Sequence, residues 1–359
     1  MSTFSSLEGT MKRALVLAGG GARGAYQVGM LQELVIHKEI DFQIIRGVSV
    51  GALNAAFLSQ APVAGDSLEN LKKKIEDLHA LWTNDIKGND SVYAERGGFA
   101  AILAGADSLY SLDPLRGLIN EHVMLDNLRN SGRDFKVGTV SLVSGRYKEW
   151  APDEIDFIDK LVASASIPVV FPFVDFKSAE DVLVDGGVRN ISPLGSAFKT
   201  LPDEIYVLLT SRLVKSDGGF PESGVQEQNY GQWSDNWLGT KVNGLDVLKR
   251  TIDILTDEIY LDDIRGALKW NEVIRKIDAL KRSPHLHTLP PELRSDFSKL
   301  IETSNVVKKR HVPLYVIAPQ EWYGAQNNST EFLPALMAQA IEHGRMVASD
   351  PSKWLLPVQ

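Results

Sequence analysis

Cysteine is absent from all 359 residues, which excludes disulfides, thiolate zinc sites and iron–sulfur clusters. Long apolar runs are absent too: none reaches the ~18 residues that a membrane-spanning helix needs. Basic charge is in the minority, with 38 Lys+Arg against 46 Asp+Glu and a formal net charge of −8. Binding to nucleic acid or an anionic bilayer by bulk charge is therefore disfavoured. None of the seven histidines stands in an H-E-x-x-H pattern, so a metal site has no support. No internal repeat or low-complexity tract appears. What is present is 44% hydrophobic and 23% charged residues, an ordinary globular composition. A chain of this length forms one large domain or two modest ones and buries roughly three-quarters of its unfolded surface.

The pattern along the chain is α/β. Ala14–Ala18 is a short apolar run bounded by glycine and reads as a buried parallel strand. Although Lys12-Arg13 precede it, the run ends after five residues, too early for a signal peptide. A cytoplasmic location is the expectation, with residues 1–11 a loose tail. Val28, Leu31, Leu34 and Val35 then share a helix face, Phe42–Val48 reads as a second strand and Val50–Leu58 as a second helix. Leu68, Leu71, Ile75, Leu78 and Leu81 mark an amphipathic helix whose wet side carries Lys72–Lys74. Asp113-Pro114 reads as the N-cap and first turn of a helix through Leu118. Strands follow at Phe135–Leu142, Val182–Val184, Ile205–Thr210 and Leu314–Ile317, then a closing helix at Phe332–Met346. The core spans 12–212. A polar, glycine-rich stretch containing Tyr230, Trp233 and Trp237 makes 213–244 a lid or a connecting loop. Residues 245–359 read as mostly helical with one strand, returning to the same sheet.

Two loops carry chemistry. Gly19-Gly20-Gly21-Ala22-Arg23-Gly24 matches the dinucleotide fingerprint G-x-G-x-x-G between a strand and a helix. A nucleotide site also needs an acid at the end of the second strand. That strand ends in Arg46-Gly47-Val48-Ser49, and Asp41 lies at its other end, so the nucleotide reading fails. Three glycines at a helix N-terminus still expose backbone N–H groups to an anion, either a phosphate or the oxyanion of acyl transfer. The second loop, Gly47-Val48-Ser49-Val50-Gly51, is the G-x-S-x-G nucleophile elbow, with Ser49 on a tight strand-to-helix turn relieved by flanking glycines. Neighbouring parallel strands bring both loops to one sheet edge.

Ser49 needs a general base. Of His37, His79, His122, His285, His287, His311 and His343, the last two fit the order of an α/β-hydrolase triad. That fold, however, places several strands before its elbow, and one is available here. Asp185 is the stronger candidate. It ends the apolar run Val182–Val184, is followed by Gly186-Gly187, and would reach the same edge as Ser49 from the end of a parallel strand; in a dry pocket its basicity would rise.

Taken together, Gly19–Gly24, Gly47–Gly51 and Asp185-Gly186-Gly187 resemble the patatin-like phospholipase family in its bacterial form. The stretch Ala163-Ser164-Ala165-Ser166-Ile167-Pro168 through Phe171-Pro172 is similar to that family's segment between elbow and aspartate, and Asn190 and Pro193 extend the likeness. The resemblance covers residues 12–212. It implies a three-layer α/β/α sandwich with a mainly parallel sheet, no cofactor and no metal, and a lipid acyl hydrolase with a Ser49–Asp185 dyad. Gly19, Gly20, Gly21 and Ala22 would donate to the oxyanion, Arg23 would lend charge, and the substrates would be acyl esters of glycerolipids met at a micelle or membrane surface. Ala18 departs from the aspartate often found before the glycines. An acyltransferase on the same dyad, or an inert regulatory copy of the fold, is the alternative; oligomeric state is left open.

Overall fold

The alternation of burial in the first strand sets up the whole molecule. In β1 (Arg13–Leu17), Leu15 and Leu17 enter one hydrophobic core while Ala14 and Val16 enter another. Burial on both faces is what a strand covered by helices on each side requires. The protein is described here from a computed structural model covering residues 11–215, 221–223, 244–303, 310–321 and 329–357. The expected tail over 1–10 and most of the 213–244 lid or loop, with Tyr230, Trp233 and Trp237, lie outside the described residues.

The main sheet has nine strands: β1, β2 (Ile44–Val48), β3 (Asp134–Ser141), β4 (Tyr147–Trp150), β5 (Val174–Phe176), β6 (Asp181–Asp185), β7 (Glu204–Leu208), β8 (Leu314–Ile317) and β9 (Leu356–Pro357). Its five central strands, β8, β7, β1, β2 and β3, run parallel, while β4, β6 and β9 pair antiparallel at the margins and β5 pairs with β6. One face carries α1 (Gly24–Leu31), α2 (Val50–Leu58), α3 (Ser67–Ala80), α4 (Asp113–His122), α5 (Phe157–Ser164) and, from the far end of the chain, α9 (Pro334–Ser349). The other carries α6 (Leu194–Lys199) and α7 (Gly244–Arg282). The architecture is a three-layer α/β/α sandwich with a mainly parallel sheet. Among the described residues no helix is long and apolar enough to cross a membrane.

The stretch after Gly244 is helical, with Pro284, Pro290 and Pro291 dividing it into α7, a single turn (Pro284–Thr288) and α8 (Pro291–Thr303). Two expectations need correction. The helix at Asp113 runs to His122 rather than stopping at Leu118, because Ile119 continues its buried face; Asp113 is its first residue rather than its cap. Most consequentially, β6 is antiparallel. It pairs antiparallel with both β3 and β5, and the four residues between β5 and β6 make a hairpin link too short for the crossover that a parallel β5 would require.

The antiparallel strand nevertheless reaches the elbow. Strand β2 pairs with β3 up to Val48 opposite Gly138, and β4 occupies β3 over Val137–Val140, so β4 and β2 lie on opposite sides of it. Strand β6 pairs with Thr139–Ser141, a stretch that β4 already holds from one side, so it must lie on the side of β2. It fills the slot left where β2 ends. Its C-terminal Asp185, opposite Thr139, therefore abuts the C-terminal end of β2. The fit is close: a Cβ on Gly186 would lie 2.5 Å from the Gly138 carbonyl oxygen.

Candidate active site

Ser49 sits at φ 57° and ψ −132°, a backbone conformation that L-residues avoid. Local packing enforces it. A Cβ on Gly47 would stand 2.4 Å from the Gly51 carbonyl oxygen, and one on Gly51 would stand 2.2 Å from that of Leu17, so only glycine allows strand and helix to close around the serine. The amide of Ser49 donates to Ser164 Oγ at 3.0 Å, and that hydroxyl donates to the Gly138 carbonyl at 2.7 Å. Two residues on, the Ser166 carbonyl accepts the Asp185 N–H at 2.9 Å. The serine-rich segment thus braces the elbow and the aspartate at once.

Asp185 is 4% exposed, and its carboxylate accepts a hydrogen bond from Gly187 N–H at 2.7 Å. Burial pushes its pKa up to about 7, against the opposing pull of the nearby Ser49 hydroxyl and of Gly187 N–H. Among the described residues no histidine takes that place. His343 is buried on α9, where its Nε2 accepts from the Gln320 and Glu321 amides. His311 lines neither cavity beside Ser49. His122 does line one, but beside Phe57, about 10 Å along α2 from Val50, with its Nε2 3.5 Å from Asp85.

The glycine loop divides its donors. Gly19 N–H bonds to the Ile191 carbonyl and Ala22 N–H to that of Ser329, at 3.3 and 2.7 Å, so these two of the expected oxyanion donors are already engaged. Gly20 and Gly21, at φ 150° and 57°, donate to no described residue and line the cavity with Ser49. Arg23 is 7% exposed, and its Nε folds back onto the Gly20 carbonyl at 3.3 Å, bracing the loop. Ala18, the departure noted in the sequence, is fully buried; its carbonyl accepts Gln27 Nε2 at 2.8 Å.

Several supporting residues escape sequence reasoning. The Gly19 carbonyl oxygen lies within hydrogen-bond reach of the Thr210 and Tyr260 hydroxyls, which stand 2.7 Å apart, so their two protons serve two of the three contacts at a time. Asp263, one helical turn along α7 from Tyr260, accepts the amide of Ser192 at 3.1 Å, and burial raises its pKa to about 7. The fully buried Tyr260 and the raised pKa of Asp263 set them apart from their helix. In sequence they are two positions of an amphipathic pattern, and only the i, i+3 spacing of Tyr260 and Asp263 hints at a shared face.

Two cavities meet at Ser49. The first runs along the Val50, Leu53 and Phe57 face of α2 and is lined on other sides by Leu115, Ile119 and Phe332. The second holds Asp185, Arg23 and the outer side of the glycine loop. Ser49, Gly21, Ile167 and Ser329 line both. A nucleophile, a buried carboxylate, a pair of open amides and an apolar channel are the parts that acyl transfer requires.

The sequence profile described as patatin-like phospholipase matches residues 15–198, just over half of the chain. Among solved structures, a crystal structure of VipD from Legionella pneumophila is similar at 13% identity with a TM-score of 0.37, covering 96% of this chain and 67% of that one. No curated protein matches.

Proposed function

The chain belongs to the patatin-like phospholipase family, a family of lipid acyl hydrolases, and on that premise we propose that it cleaves acyl esters through a covalent intermediate on Ser49, with Asp185 as its general base. Asp185 accepts the Ser49 proton as Oγ bonds to the ester carbonyl carbon. The negative charge that develops on the carbonyl oxygen is met by the Gly20 and Gly21 amides, donors held in place before the reaction begins. Collapse of the tetrahedral intermediate breaks the bond to the alcohol, which leaves with the proton from Asp185. Water, deprotonated by the same carboxylate, then releases the fatty acid and restores Ser49. The acyl chain lies along α2 in the first cavity, whose described lining is almost wholly apolar.

One observation supports this reading above the others: the buried Asp185 carboxylate shares a cavity with a serine held in a strained elbow, whose hydroxyl favours its charged form, and its pKa of about 7 suits a base that works near neutrality. The test is covalent. A fluorophosphonate should label Ser49 and no other residue, and Ser49→Ala should abolish both the label and hydrolysis of p-nitrophenyl butyrate while the protein stays folded. Hydrolysis that persists in Ser49→Ala would sink the proposal.

A further inference from the structure

The proposed oxyanion donors are backbone amides, and such an amide is aimed only by turning its whole peptide. The peptide between Gly19 and Gly20 is planar and trans, so the Gly19 carbonyl and the Gly20 N–H point in opposite directions. The carbonyl faces the hydroxyls of Thr210 and Tyr260, both fully buried residues. The Gly20 N–H is therefore turned away from them, on the side where Gly20 lines the second cavity with Ser49. The packing is close on both flanks: a Cβ on Gly20 would stand 2.0 Å from Thr210 Oγ1, and one on Gly19 would stand 3.0 Å from the Ser49 Cβ. The preceding peptide is pinned as well, its Ala18 carbonyl by Gln27 Nε2 and its Gly19 N–H by the Ile191 carbonyl. Asp263 holds the amide of the next residue, Ser192. One turn of α7 thus reaches Gly19 twice, through Tyr260 at its carbonyl and through Asp263 behind the segment that takes its N–H.

We infer that Thr210 and Tyr260 are positioning residues for the chemistry at Ser49: their hydroxyls, held to the Gly19 carbonyl, fix the tilt of the Gly19–Gly20 peptide and so aim the Gly20 N–H at the oxyanion. A hydrogen bond at the carbonyl also polarises that peptide and strengthens its N–H as a donor, by about 10–30%. This rests on the acyl-hydrolase reading and adds to it the side chains that organise its oxyanion site. Either hydroxyl can serve the carbonyl alone, because two protons are shared among three contacts. Losing one is therefore partly compensated, whereas losing both strips a buried carbonyl of the two hydroxyls and frees the Gly20 amide to swing away. The limit is the loss of one whole oxyanion donor, about a hundredfold or more in kcat.

The experiment is a double-mutant cycle on the full chain with p-nitrophenyl butyrate. Tyr260→Phe and Thr210→Val should each lower kcat about fivefold, and the pair together about a hundredfold, more than the product of the two, with KM little changed throughout. Thr210→Ser in the Tyr260→Phe background, which keeps the second hydroxyl, should retain the kcat of Tyr260→Phe alone. Octyl trifluoromethyl ketone, which forms an oxyanion on Ser49, should lose affinity in step with kcat in every variant. The corresponding trifluoromethyl alcohol, which forms none, should bind all of them as it binds wild type. A double variant that keeps more than about a tenth of the wild-type kcat, or ketone and alcohol affinities that fall together, overturns the proposal. Should the double variant fail to fold, the single variants decide: ketone affinity unchanged in both overturns it. A wild type that fails to hydrolyse even p-nitrophenyl butyrate would instead overturn the acyl-hydrolase reading on which it rests.

Discussion

Replacing Asp185 with asparagine should cost the protein its activity and make it more stable. The carboxylate is 4% exposed and, among the described residues, accepts a hydrogen bond from Gly187 N–H, so ionising it in place works against its burial. A pKa raised from 3.8 to about 7 corresponds to a cost of about 4 kcal/mol at most once the group is fully ionised. Because the folded value lies above the unfolded one, Asp185 favours folding fully below about pH 4 and progressively loses that contribution as pH rises through about 7. Asparagine keeps an acceptor for Gly187 N–H and carries no charge. For 359 residues the melting entropy is roughly 0.75 kcal/mol per degree. Asp185→Asn should therefore melt roughly 5 °C above wild type at pH 8.5 and roughly half that above it at pH 5.5. Asp263 is present in both proteins and drops out of the difference. Differential scanning calorimetry across pH 4.5–8.5 checks it. A variant that melts below wild type at pH 8.5, or a gap that does not shrink on acidification, would refute the picture of a desolvated carboxylate.

Other outcomes follow from the same geometry. The kcat/KM for a neutral ester should rise with pH through about 7 as Asp185 ionises, measured with p-nitrophenyl butyrate. Ser49→Gly should raise the stability by about 1 kcal/mol by relieving the elbow backbone, read from thermal melts. Tyr260→Phe removes one of two hydroxyl donors to the Gly19 carbonyl; a loss of about 1 kcal/mol predicts a roughly fivefold fall in kcat with KM little changed. His343→Ala strips the Gln320 and Glu321 amides of their acceptor, so it should lower the melting temperature while the rate of the folded protein stays close to wild type.

Legibility in the sequence tracked locality. The elbow and the glycine loop each fit within six residues, where steric demands on the backbone leave an imprint as glycine, and both lie between the strand and the helix that their patterns imply. Asp185 stood out through Gly186-Gly187, yet the expected reason for its position was mistaken: it comes off an antiparallel strand inserted beyond the end of β2. The marginal strands β4 and β5 escaped notice because partial burial gives them no apolar run, as in the half-buried Tyr147–Trp150. Tyr260 and Asp263 were illegible for a different reason. Their partners, Gly19 and Ser192, lie 241 and 71 residues away, and nothing in an amphipathic helix pattern records which buried polar atom meets which distant backbone group.

The insertion of β6 beyond the end of β2 also bears on how the protein reaches its working state. Residues 13–58 can assemble the nucleophile turn from contacts close in sequence, but β6 has no register until β3 is already paired along β2. Such non-local pairing closes slowly, because the loop entropy is lost before the contacts repay it. Catalytic competence is thus a late event in folding. In a refolding experiment, esterase activity would reappear after helical circular dichroism, and that interval would time the docking of a single strand.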